Sequence, residues 1–130
     1  MSPFRAAHAA GGSWSECVAQ CAERLGRPGG GLGFVYFTDA LLPHAVAIVD
    51  SLRERTGVAD WVGTVGIGVI ASGTEYLDQP GLSTMVAELP GECYRVFSGR
   101  NPLARIQCGL ISRPVVGPTR NRHFRGQHLA

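Results

Sequence analysis

Four cysteines, four histidines and two glycine clusters are the residues whose types could carry chemistry in this chain. A phosphate-cradling loop needs a Lys followed by Ser or Thr directly after its last glycine. The chain contains no Lys, so neither Gly29-Gly30-Gly31 nor the 63–68 stretch qualifies. A dinucleotide fingerprint needs glycines that open a helix. Here Gly63-Thr-Val-Gly-Ile-Gly68 runs into Val69-Ile70-Ala71, a strand-forming sequence. Structural zinc would need two closely spaced cysteines ahead of its histidines. Cys93 stands fifteen residues before Cys108, so Cys108, His123 and His128 lack that pairing. Cys17 and Cys21, four apart, read as small buried thiols on one helix face. Ser72 sits in Ile-Ala-Ser-Gly-Thr, which lacks the first glycine of a nucleophile elbow. His44 begins a helix and reads as a partly exposed polar residue. No catalytic residue, metal ligand or cofactor is assigned.

The more informative constellation joins Thr38 and Asp39 to Gly63, Thr64, Gly66 and Gly68. Polar residues ending a buried strand face the crevice where α/β sheets bind ligands. Glycines on a second strand let a ligand approach the backbone. The six therefore form a candidate ligand site, which requires their two strands to be neighbours. Turn chemistry is the plainer account of the same residues, with Asp39 capping a helix and the glycines forming bulges.

Several elements must position them. Ser13-Trp-Ser-Glu16 is a capping box, and Trp14, Val18, Cys21 and Leu25 follow at helical spacing before Gly26 and Pro28. Residues 32–38 are apolar and aromatic, a buried strand. After a short connection at 39–42, Pro43 suits a first helical turn. Ala45, Val49 and Leu52 form the helix stripe, and Gly57 is its stop. Residues 61–72 read as a second strand with bulges or tight turns. A hairpin-like loop follows at 73–81, then a strand at 82–89 and a short extended piece at 93–97. The expected fold is α/β or α+β, layered, with a mixed sheet flanked by helices and an irregular C-terminal tail.

Composition narrows the classes. With 130 residues, 45% hydrophobic and 17% charged, the chain can bury a core. Up to Glu92, five Arg stand against all ten acidic residues, a net charge of −5; beyond it are seven Arg and no acid. No apolar run suits a signal peptide or a bilayer span, so the expectation is a cytoplasmic protein with no membrane partner and reduced thiols. The basic end admits a nucleic-acid-binding reading through Arg105, Arg113, Arg120, Arg122 and Arg125. Phe124 is the one aromatic residue of 103–130, which gives base stacking there little support. A thiol enzyme using Cys93 or Cys17 is the third reading.

Taken in order, Gly33-Phe-Val-Tyr-Phe-Thr-Asp39, the proline-started helix and Thr56-Gly-Val-Ala-Asp-Trp-Val-Gly-Thr-Val-Gly-Ile-Gly68 resemble the N-terminal FIST region. So do Gly73-Thr-Glu-Tyr-Leu-Asp-Gln-Pro-Gly-Leu-Ser83, Ala87-Glu-Leu-Pro90 and Tyr94-Arg-Val-Phe97. The resemblance spans roughly residues 4–102. It implies a non-catalytic sensory domain of bacterial signal transduction that binds a small molecule, an amino acid being one candidate. The family's most recognisable stretch corresponds to residues 63–68. Near Leu103 the resemblance stops along with the acidic residues. The expectation is therefore an incomplete domain at 1–102 and a basic, poorly ordered segment at 103–130, the product of truncation or frameshift. An incomplete sheet would leave an edge open to self-association.

Overall fold

The computed structural model describes residues 2–97, and the chain divides into two units, Met1–Glu88 and Leu89–Ala130. The expected boundary at residue 103 lies outside the described residues. So do the basic segment beyond it, Cys108, His123 and His128.

The first unit is mixed α/β. Strand β1 (Phe4–Ala10) leads to helix α1 (Trp14–Leu25) and strand β2 (Leu32–Thr38). A 3-10 turn (Asp39–His44) enters helix α2 (Ala45–Thr56). Strands β3 (Asp60–Gly66), β4 (Gly68–Ala71), β5 (Thr74–Leu77) and β6 (Gly81–Ala87) follow. The main sheet has the order β1-β6-β2-β3, with β2 and β3 parallel and the other pairs antiparallel. β4 and β5 make a separate hairpin.

Local sequence explains most of these boundaries. Ser13 Oγ accepts from the Glu16 amide while the Glu16 carboxylate accepts from the Ser13 amide, so the capping box is complete. Gly57 ends α2 in the left-handed region at φ 75°. Arg27 donates to the carbonyls of Glu54 and Arg55, satisfying acceptors that α2 leaves open. Pro43 falls inside the 3-10 turn, and α2 starts two residues later than the proline implies.

One expectation needs correction, and one strand went unread in the sequence. The 73–81 stretch contains β5, joined to β4 by a two-residue turn at Ser72 (φ 47°) and Gly73 (φ 83°). Positive φ at both positions is the geometry of a tight hairpin. Residues 4–10 form β1, an edge strand that alanine content had hidden, since Ala carries little strand preference.

One face of the sheet is sealed. Cys17, Val18, Cys21 and Leu25 of α1 and Ile48 and Leu52 of α2 are buried with Ala7, Val35, Phe37, Leu82 and Val86 in a single core. Trp61 joins them, lying flat on Gly33, where any Cβ would collide with the indole. Its Nε1 donates to the Val58 carbonyl at 2.8 Å, so the buried N–H is satisfied.

The end of β2 is tied to the β5–β6 connection by one hydroxyl. Buried Thr38 Oγ1 donates to the Gln79 carbonyl at 2.7 Å and accepts from the Gly81 amide at 3.0 Å. Thr38→Val keeps the shape but strands both backbone groups. It should cost about 1–3 kcal/mol in urea unfolding, while Thr38→Ser should recover most of the loss.

In the second unit, the Cys93 amide donates to the Pro90 carbonyl at 2.9 Å, and the Arg95 guanidinium lies 5.5 Å from the Phe97 ring centre. Residues 94–97 carry no regular secondary structure.

Candidate functional site

Strand alternation decides which side chains share the sheet face away from the helices. On that face, register sets His8, Ser83, Tyr36 and Thr64 in one row across all four strands. The adjacent row is Ala6, Met85, Phe34 and Val62. With strands about 4.8 Å apart, each row is about 14 Å long. One row offers hydrogen-bonding groups and its neighbour is apolar.

The β4–β5 hairpin lies against this face, burying Val69 and Ala71. Tyr76 fixes it there. Its hydroxyl is hydrogen-bonded to His8 Nδ1, and its side chain crosses Gly81, where an added Cβ would come within 2.7 Å. Gly81 is thus required for close approach. Between hairpin and sheet lies a half-open cavity of about 420 Å³, lined by Ala6, His8, Phe34, Tyr36, Ala71, Ser72, Ser83 and Met85 among others. A second hollow of about 200 Å³ shares Tyr36 and Ile70 with it and adds Thr64, Gly66, Gly68 and Val69.

The six residues singled out from sequence separate here. β2 and β3 are neighbours, as the site requires, with Thr38 opposite Gly66 and Tyr36 opposite Thr64. Thr64, Gly66 and Gly68 line the smaller hollow together. Thr38 shares their face, but the loop covers it and both its hydrogen bonds go to backbone. Asp39 is exposed at the start of the 3-10 turn. Gly63 alternates with Val62 and Thr64 and is itself exposed, and a Cβ there would strike the Val35 backbone of the neighbouring strand. Its glycine answers a packing need.

His8, Tyr36, Ser83 and Tyr76 carry no recognisable local motif. They become a group through pairing of β1 with β6, 75 residues apart at His8 and Ser83. Leu82-Ser-Thr-Met-Val86 does not alternate apolar with polar, because Thr84 is buried and Met85 lines the cavity, so local sequence held no signal for the two faces.

The described thiols differ sharply. Cys17 donates to the Gly11 carbonyl, and burial with the nearby Glu16 carboxylate raises its pKa. Burial pushes Cys21 up to about 11. Both are held as thiols at neutral pH, contrary to what a nucleophile needs. Cys93 is exposed. His44 is exposed and stacks on Trp14 with ring centres 5.9 Å apart. Among the described residues, no group of three or more His, Cys, Asp or Glu is gathered to hold a metal ion, and no helix is long and apolar enough to cross a membrane.

No family model, curated protein or solved structure matches the chain.

Two outcomes follow from the thiols. Iodoacetamide at pH 7.5, read by peptide mass mapping, should label Cys93 well before Cys17 and Cys21, which should react after denaturant is added. Stability should hold below pH 9, the ordinary thiol value, and fall as pH rises towards 11, because the unfolded chain releases protons that the folded one retains. Urea midpoints at pH 8 and 10.5 measure that fall, and Cys21→Ala should flatten it.

Proposed function

We propose that this chain is the small-ligand-binding part of a sensory module, which reports occupancy without transforming its ligand. The cavity between the β4–β5 hairpin and the open sheet face carries this reading. Its volume falls within the range of small-molecule sites, about 300–1,000 Å³, and its apolar lining with a few converging polar groups fits their usual composition. Cys17, one of the two thiols a thiol enzyme could use, is buried and held protonated, which weakens the thiol-enzyme reading. The resemblance to the N-terminal FIST region points the same way, towards ligand sensing in signal transduction.

The hairpin offers a means of signalling. It meets the sheet through Tyr76, Val69 and Ala71, beside the same cavity. A ligand that favours one hairpin position shifts the population by its differential affinity for the two.

A panel of amino acids, nucleobases, phenols and small carboxylates, screened by thermal shift, tests the reading. At least one class should raise the melting temperature in proportion to the logarithm of its concentration. Ser83→Trp should fill the cavity and abolish that rise while far-UV circular dichroism stays unchanged. A folded wild-type protein indifferent to every class would overturn the proposal.

A further inference from the structure

The cavity lining has an unusual charge composition for a site meant to hold an amino acid. A zwitterion brings an ammonium and a carboxylate, and both lose hydration on burial. Sites for them supply a carboxylate to the first and Arg or converging backbone N–H groups to the second. Among the described residues, the lining contains no Asp, Glu, Arg or Lys. The nearest acid by register is Glu75, opposite Ile70 in the hairpin, and it is exposed and outside the lining. Arg5 on β1 is committed elsewhere, to the Leu25 carbonyl and the Glu88 carboxylate.

What the lining does offer is neutral and directional. Phe34 and Met85 are register partners, so an aromatic ring and a polarisable thioether sit side by side on the floor. Aromatic and sulfur groups favour flat, polarisable partners. Along the adjacent row, Tyr36 and Ser83 present hydroxyls, each able to donate and accept. His8 has Nδ1 engaged by Tyr76, which leaves Nε2 for a ligand group. Ser72 adds a hydroxyl at the hairpin turn.

Resting on the ligand-binding reading above, we infer that the site takes a neutral, flat, mainly apolar molecule, a ring system bearing one or two hydrogen-bonding groups. The ring lies over Phe34 and Met85, and its polar edge faces Ser83, Tyr36 and His8. The hairpin, held by the Tyr76–His8 hydrogen bond, forms the opposite wall. Free amino acids are disfavoured because none of the described lining residues replaces the water around their two charges.

The test titrates full-length protein separately with indole, 2-naphthol, tryptophan, phenylalanine and glutamate, following backbone amide shifts by NMR. Indole or 2-naphthol should perturb the amides of residues 34–36 and 83–85 in a saturable way. Each amino acid should bind at least about tenfold more weakly because its charges are not matched. Tyr36→Phe should weaken binding of the neutral ring compound about threefold to tenfold through loss of one hydrogen bond. Ser83→Trp should abolish it. Saturable amino-acid binding at the same amides, equal to or tighter than that of the neutral rings, would overturn the ligand class while keeping the site. No saturable shift at those amides with any compound would overturn both. Neutral-ring binding unaffected by either variant would also overturn the placement, and Tyr36→Phe keeps that outcome readable if Ser83→Trp unfolds.

Discussion

Strand β6 is hydrogen-bonded along both flanks, to β1 on one side and β2 on the other, over nearly its full length. Among the described residues the last strand thus lies between the first two, so the sheet closes when residues 81–87 arrive. Thr84 reinforces the seam, its hydroxyl donating to the Ala7 carbonyl at 2.8 Å inside the protein. Such a strand brings large loop-closure costs, because contacts near its start join residues more than seventy apart. Burial of Leu82 and Val86 in the core against α1 offsets that cost, since both side chains are entirely removed from water.

The insertion also creates the site. β6 brings Ser83 and Met85 between residues of β1 and β2, which joins His8 to Tyr36 in one row and Ala6 to Phe34 in the next. The chain leading into β6 is the β4–β5 hairpin, so it arrives with a cover for the same face. Thr38 and Gly81 control the approach. The threonine hydroxyl anchors the connection, and the missing Cβ at Gly81 lets Tyr76 cross the strand and reach His8. Glycine serves a different purpose at Gly63, where contact with the Val35 backbone leaves no space for a side chain.

The two faces of the sheet therefore differ in physical task. The helix side is dry and close-packed, with thiols that burial keeps protonated. The hairpin side is partly open. Tyr36 remains 42% exposed there, and Phe4 at the end of β1 is 53% exposed. Those exposures matter because an aromatic side chain standing free on a strand surface offers a ligand both area and a polar tip.

Local sequence by itself determined α1, through a reciprocal cap and an apolar stripe, and β2, through an uninterrupted apolar run bounded by glycine and aspartate. It also located the stop of α2 at Gly57, whereas the adjacency of the strands holding Thr38 and Thr64 was a condition that the structure meets. These features depend on interactions within a few residues, or on the short β2–α2–β3 path. Three things escaped it. An alanine-rich edge strand owes its conformation to the ladder it joins. The hairpin at 68–77 depends on positive φ at Ser72, which serine does not advertise. The row of His8, Ser83, Tyr36 and Thr64 exists because of register across strands distant in the chain. Only the tertiary structure decided it, since a shift of one residue would turn those side chains into the core.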